Sequence, residues 1–177
     1  MKEIIKLVSK NLILLYLTFV ISGNQVNADL EKNSKGSEIV PEHTIKYEKV
    51  DRAKKLETFL KSKNSPLTAN VKTFIEVADK YGLDYRLLPA ISCIESSCGQ
   101  RLIPESYNPF GWGVYGNNYI SFENYDHAIE EVGEGIYSGY VVKGADTVEK
   151  ISRIYTPPNS LKWSYSVKQF MAQIDNS

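Results

Sequence analysis

The sequence predicts a mainly α-helical (α+β) domain with one small β-hairpin beside its third helix. Three observations lead there. Apolar residues recur at helical spacing along successive segments after Val50. Residues suited to starting and stopping helices punctuate those segments. One stretch, Gln100 to Asn124, abandons the helical period and is rich in Gly, Asn and aromatic residues.

Taken in order, the chain opens with Lys2, Lys6 and Lys10, an apolar run from Leu12 to Ile21, and the small-residue site Val26-Asn27-Ala28. That is the layout of a secretory signal peptide, residues 1–28, with cleavage expected after Ala28. The run is short for a membrane span, which takes ~20 residues; an uncleaved anchor is the alternative. The expected location is therefore outside the cell or in the cell envelope. Any membrane contact would run through this N-terminal segment alone. Residues 29–49 are polar and mixed in charge, with Gly36 and Pro41, and read as a flexible tether. The domain is expected over 50–177.

Val50, Ala53, Leu56, Phe59 and Leu60 form the first helical stripe. Asn64-Ser65-Pro66 stops that helix and starts the next, with Pro66 suited to a first turn. Val71, Phe74, Ile75, Ala78 and Tyr81 form the second stripe, which Gly82 ends. Asp84 is placed to cap a third helix, with Pro89 early in it. On that helix Leu88, Ile91 and Glu95 fall at i, i+3 and i+7, so Glu95 continues an apolar stripe. Phe110 to Val114 and Tyr119 to Phe122 are the expected hairpin strands, turning at Gly116-Asn117-Asn118. Asn124 caps a helix with Ala128, Ile129, Val132, Ile136 and Tyr140 inward. Gly135 and Gly139 on it each cost ~1 kcal/mol against Ala, which points to close backbone packing. Asp146 to Glu149 resembles a capping box, followed by Ile151, Ile154 and Tyr155. After Pro157-Pro158-Asn159, the last helix aligns Trp163, Val167, Phe170, Met171 and Ile174.

Removing residues 1–28 leaves 18 basic and 20 acidic residues, which gives no reason to expect a nucleic-acid partner. A monomer is expected. Only two histidines are present, His43 and His127, and no zinc spacing, Walker loop or nucleophile elbow occurs. No cofactor and no metal is called for. Cys93 and Cys98 flank Glu95. In an unbroken helix their Cα atoms would lie about 8–9 Å apart, beyond disulfide reach. A helix ending near Ser96 would let them meet; otherwise they are two small buried hydrophobes.

What remains is one carboxyl group, Glu95, at a helix end, followed by an aromatic, Asn-rich loop. Sugar rings stack on Trp and Tyr, and their hydroxyl and acetamido groups bond to Asn and to backbone amides. A carboxyl group half-buried against apolar neighbours stays protonated to higher pH and donates that proton to a glycosidic oxygen. Glu95 as a structural helix-end carboxylate is the competing reading.

Ala90-Ile-Ser-Cys-Ile-Glu-Ser-Ser-Cys-Gly99 resembles the A-I-x-x-x-E-S-x-x-G helix end of the lysozyme-like superfamily. Three further segments follow: Ser106-Tyr-Asn-Pro-Phe-Gly-Trp-Gly113, Tyr119-Ile-Ser-Phe122 and Ala128-Ile129. Their order resembles the N-x-F-G loop, short aromatic strand and A-I helix of bacterial cell-wall glucosaminidase domains. Tyr155-Thr-Pro-Pro158 and Trp163-Ser-Tyr-Ser-Val167 resemble that family's closing segment, and the likeness runs from about Ser65 to Ile174. It implies a lysozyme-like helical domain that cleaves the β-1,4 bond of peptidoglycan glycan strands, as an endo-β-N-acetylglucosaminidase. Glu95 falls on the family's general acid and Tyr155 on its site tyrosine. Ser96, Asn108, Phe110, Gly111, Trp112, Tyr115 and Phe122 fall along its sugar groove. Two departures stand out. Cys98 replaces a common aromatic, and Glu105, Glu123, Asp126 and Glu130 are only positional candidates for a second carboxylate. A lytic transglycosylase or muramidase on the same scaffold is the alternative, and a secreted glycan-binding module is the alternative of another class. Trp112 and Tyr115 also suit hairpin packing, and Trp163 also suits the helical core.

Overall fold

The computed structural model of the protein describes residues 42–177 except 115 and 117, with side chains from 50 onward. The expected signal peptide, most of the expected tether and Tyr115 lie outside the described residues. In chain order come α1 (Glu42–Ser62), a 3-10 turn (Pro66–Asn70), α2 (Val71–Tyr81), α3 (Leu87–Ser96), α4 (Tyr125–Gly139), a second 3-10 turn (Val141–Lys143), α5 (Val148–Tyr155) and α6 (Ser160–Asp175). The first helix thus begins before Val50, within the segment read as tether. None of the described helices is long and apolar enough to cross a membrane.

α3 is the most enclosed element, with Leu87 to Cys93 all buried. It packs on α6; α2 packs on α4, α5 on α6, and α1 on both α2 and α6. The apolar stripes meet in one core that includes Leu56, Phe59, Leu60, Phe74, Ile91, Phe110, Ile129, Ile136, Val167 and Ile174. Each such side chain contributes ~1.5–3 kcal/mol when fully buried. Two expected stripe members depart: Val50 and Ile154 are exposed.

The punctuation is largely as the residues dictate. Gly82 ends α2 in the left-handed conformation and donates its N–H to Ala78 O. The Asn124 side chain accepts from His127 N–H at the start of α4. Asp84 accepts from Arg86 N–H just before α3. Two starts differ from expectation. Ser65 and Pro66 open a 3-10 turn, and the α-helix begins only at Val71. The cap of α5 is Thr147, which accepts from Lys150 N–H, while Asp146 pairs with Lys150 Nζ at 2.6 Å.

The expected β-hairpin is not formed: no strand occurs among the described residues between α3 and α4. Gly111 and Gly113 both take positive φ (61° and 64°), which breaks an extended run at alternate residues. The Asn108 side chain does what a backbone ladder would have done. Its Nδ2 donates to Trp112 O (2.8 Å) and Ile120 O (3.0 Å), and its Oδ1 accepts from Trp112 N–H (3.0 Å). The two arms still lie side by side, since a Cβ on Gly113 would fall 2.3 Å from Ile120 Cδ1.

Candidate active site

α3 ends where the sequence motif requires a turn. Ser97 and Cys98 both adopt left-handed backbone (φ 55° and 59°), and this reversal brings Cys98 back beside Cys93 in a disulfide. Arg101 N–H then closes on Ser96 O at 2.8 Å. The start of the following loop is tied to the end of α1 by two hydrogen bonds. Ser65 Oγ donates to Cys98 O (2.7 Å), and Gln100 Nε2 donates to Lys63 O (2.7 Å).

Glu95 sits in the last turn of α3. Leu88 and Ile91 on the same stripe are buried, but one turn further the helix passes the edge of the core and Glu95 is exposed. The expectation of an inward carboxylate is corrected accordingly: the carboxyl group is not sealed in the core, but lies between Trp163 and Gly111 with the rest of the side chain open to solvent. Its Oε1 accepts the Trp163 indole N–H at 2.7 Å. Its Oε2 would lie 3.5 Å from a Cβ on Gly111. Burial by these walls raises the carboxyl pKa above its ordinary value, and the Trp163 N–H, which favours the anion, partly offsets that rise. Neither influence comes from a second carboxylate.

Tyr155, at the end of α5, stacks on Trp163 with ring centroids 5.0 Å apart and 28° between planes. Trp112 leans on Tyr155 at 5.9 Å and on Tyr140 at 6.1 Å. The Tyr155 hydroxyl donates to Phe110 O at 2.6 Å. Burial, and then the nearby Glu95 charge, push its pKa well above the usual phenol value, so it is neutral near pH 7. Tyr155 is therefore a donor held in place, not a base.

Two open hollows flank this stack. One, of about 340 Å³, is lined by Gly111, Trp112, Ile120, Tyr140, Ile154 and Tyr155 among others. The other, of about 250 Å³, is lined by Ile94, Thr156, Asn159, Lys162, Trp163 and Ser166. Tyr155 walls the first and Trp163 the second, so the stacked pair is the partition between them. Glu95 touches a wall of each, Gly111 on one side and Trp163 on the other.

The residues assigned to the groove divide into those that face it and those that shape it from beneath. Gly111 and Trp112 line the first hollow. Ser96, Asn108 and Phe110 are buried. Ser96 Oγ lies 2.8 Å from Pro109 O and 2.9 Å from Ser92 O, and it accepts from Gly99 N–H at 2.9 Å, so it fastens the end of α3 to the loop. Asn108 has its amide engaged within the loop, as described above. Phe110 is fully buried, and its carbonyl receives Tyr155. Phe122 is buried edge-on to His127, with centroids 5.8 Å apart.

Trp163, expected in the core stripe, is buried as expected yet also holds Glu95; its indole N–H was the sequence clue to a polar partner. None of the four candidate second acids is among the groups that act on Glu95. Asp126 accepts from Asn70 Nδ2 (2.8 Å) and from Thr73 Oγ1. Glu130 acts on Lys80 of α2. Glu105 and Glu123 are exposed. Among the described residues no cluster of His, Cys, Asp or Glu suited to a metal ion occurs. A scan of the sequence against protein-family models gives no match, and comparison with curated proteins gives none either.

Proposed function

We propose that the protein is an exported peptidoglycan hydrolase. It cleaves the β-1,4 glycosidic bond of the glycan strand as an endo-β-N-acetylglucosaminidase on a lysozyme-like helical domain, with Glu95 as general acid. The observation that carries this reading is that Glu95 lies against one wall residue of each hollow, Gly111 of the one that Trp112 and Tyr155 also line and Trp163 of the other. A glycan lying across the partition would present the oxygen between two sugars to the carboxyl group. The chemistry needs a proton donor there, because an alkoxide is a poor leaving group until protonated. Burial keeps Glu95 protonated to higher pH than an ordinary carboxylate. Tyr155 is a positioning residue, since its hydroxyl pins the loop carbonyl of Phe110 and its ring backs Trp163.

Among the described residues no carboxylate acts on Glu95, which favours a single-acid mechanism. Inverting enzymes hold a second carboxyl ~6.5–9.5 Å away to activate water, and retaining ones hold it at ~5–5.5 Å. Here the substrate's own 2-acetamido oxygen would attack the anomeric carbon as Glu95 delivers its proton to the departing oxygen. Glu95, now anionic, would then take a proton from the water that opens the cyclic intermediate. The same single acid also suits a lytic transglycosylase, in which the sugar's own 6-hydroxyl closes an anhydro ring. The expected result of digesting purified sacculi, read by mass spectrometry, is new reducing N-acetylglucosamine ends; anhydro-muramic ends would assign the transglycosylase reaction instead. Glu95→Gln is expected to lose ~10²–10⁴ of the rate, the usual contribution of a general acid. On a cell-wall gel the wild type should clear and Glu95→Gln should not. Sacculus binding with no clearing by either protein would make this a glycan-binding module and end the enzyme reading.

A further inference from the structure

The two hollows differ in the chemistry of their walls. The Trp112 side offers aromatic faces, Ile120 and Ile154, and glycine backbone. The Trp163 side offers Ile94 and the accessible edge of Trp163, together with four polar side chains: Thr156, Asn159, Lys162 and Ser166. Among the described residues none of those four has a side-chain hydrogen bond or ion pair, while Ser96, Asn108 and Tyr155 near the groove are engaged. The neighbouring lysines are paired as well: Lys150 with Asp146 at 2.6 Å and Lys168 with Glu149 at 2.7 Å. Lys162 thus brings an uncompensated positive charge to a small hollow whose wall, Trp163, also holds Glu95.

We infer that this hollow is a recognition site for an anionic substituent of the glycan, a carboxylate branching from the sugar on the Trp163 side of Glu95. Lys162 supplies the charge, the Asn159 amide and the Thr156 and Ser166 hydroxyls supply donors, and Ile94 with the accessible edge of Trp163 supplies the apolar wall. The opposite hollow, lacking a cation, takes a neutral sugar. The inference rests on the glycan-cleaving reading and deepens it: the groove would read the order of charged and uncharged units and so fix which of two alternating bonds lies over Glu95.

The test measures binding to the Glu95→Gln protein by calorimetry, using two probes of equal length. One is a neutral β-1,4 N-acetylglucosamine tetrasaccharide; the other is an alternating tetrasaccharide whose muramic units bear free carboxylates. The alternating probe is expected to bind about five-fold tighter at low salt, the upper range for a solvent-exposed ion pair. That preference should shrink with added salt. Adding Lys162→Gln should remove it while leaving affinity for the neutral probe unchanged; Lys162 is exposed, so the fold should not be affected. Equal binding of the two probes, or a preference that survives Lys162→Gln, would overturn the inference and leave the glycan reading standing. Binding of neither probe would sink the glycan reading and this inference with it.

Discussion

Gly135 and Gly139 lie one turn apart on α4, and the same substitution is expected to act on them in opposite directions. A Cβ added to Gly135 would fall 2.6 Å from Trp112 Cζ2 and 3.2 Å from Cη2. Carbon atoms rest at ~3.5–4.0 Å, so the indole must retreat by about 1 Å. It has little room, because Tyr140 and Tyr155 lie against it with centroids 6.1 and 5.9 Å away. Overpacking of this kind costs ~1–3 kcal/mol, while replacing an interior helical Gly by Ala gains up to ~1 kcal/mol. The net for Gly135→Ala is a loss of up to ~2 kcal/mol, or ~8 °C in Tm at ~4 °C per kcal/mol for a domain of this size. A Cβ on Gly139 would meet nothing within 4 Å. Gly139→Ala should therefore gain up to ~1 kcal/mol and a few degrees. Thermal unfolding followed by circular dichroism measures both, and tryptophan fluorescence reports on the displaced indole. If Gly135→Ala stabilises as much as Gly139→Ala, Trp112 does not rest on α4 and the first hollow is not built as described.

Three further outcomes are expected. Asn108→Asp replaces the amide that donates to Trp112 O and Ile120 O with a second acceptor; leaving those groups unsatisfied costs ~1–3 kcal/mol each, so a clear fall in Tm with loss of sacculus clearing is expected, and an unchanged melting curve would show that the loop does not depend on Asn108. Trp163→Phe keeps a ring for Tyr155 but removes the N–H that favours the Glu95 anion. In the proposed mechanism Glu95 acts only when protonated, so activity should fall as pH rises through its pKa, and the variant should carry that falling limb to higher pH; a limb moving to lower pH would contradict the assignment. Replacing both Cys93 and Cys98 by Ser should cost about 2 kcal/mol, the chain-entropy value for so short a loop, and should remove the drop in Tm that dithiothreitol causes in the wild type. Equal sensitivity of the variant to reductant would show that the drop has another source.

Helices were legible in the sequence because their signals are local. Spacing alone placed Phe74, Ile75 and Ala78 inward, and Gly82 and Asn124 mark helix ends by what their own backbone or side chain can do. The loop after α3 was misread for the opposite reason. Its aromatic, alternating residues have the composition of strands, but positive φ at Gly111 and Gly113 and the three bonds of Asn108 replace the ladder. Those partners are set by tertiary geometry, which periodicity does not carry. Glu95 was singled out by its place on an apolar stripe, yet where that stripe leaves the core depends on the helix ending at Ser96. The Trp163 partnership joins residues 68 positions apart and has no local signal beyond an indole N–H in need of an acceptor.

Between α3 and α4 the backbone holds its course by borrowing atoms from a handful of side chains: Ser96 on Pro109 O, Asn108 on Trp112 and Ile120, and the Tyr155 hydroxyl on Phe110 O. Such a segment divides its tolerance unevenly. Sequence libraries that vary Val114, which lines the first hollow, can reshape its wall while these pins are left alone, whereas a single conservative exchange at a pin would be felt along the whole segment. The loop is therefore a natural handle for reshaping the first hollow without touching Glu95.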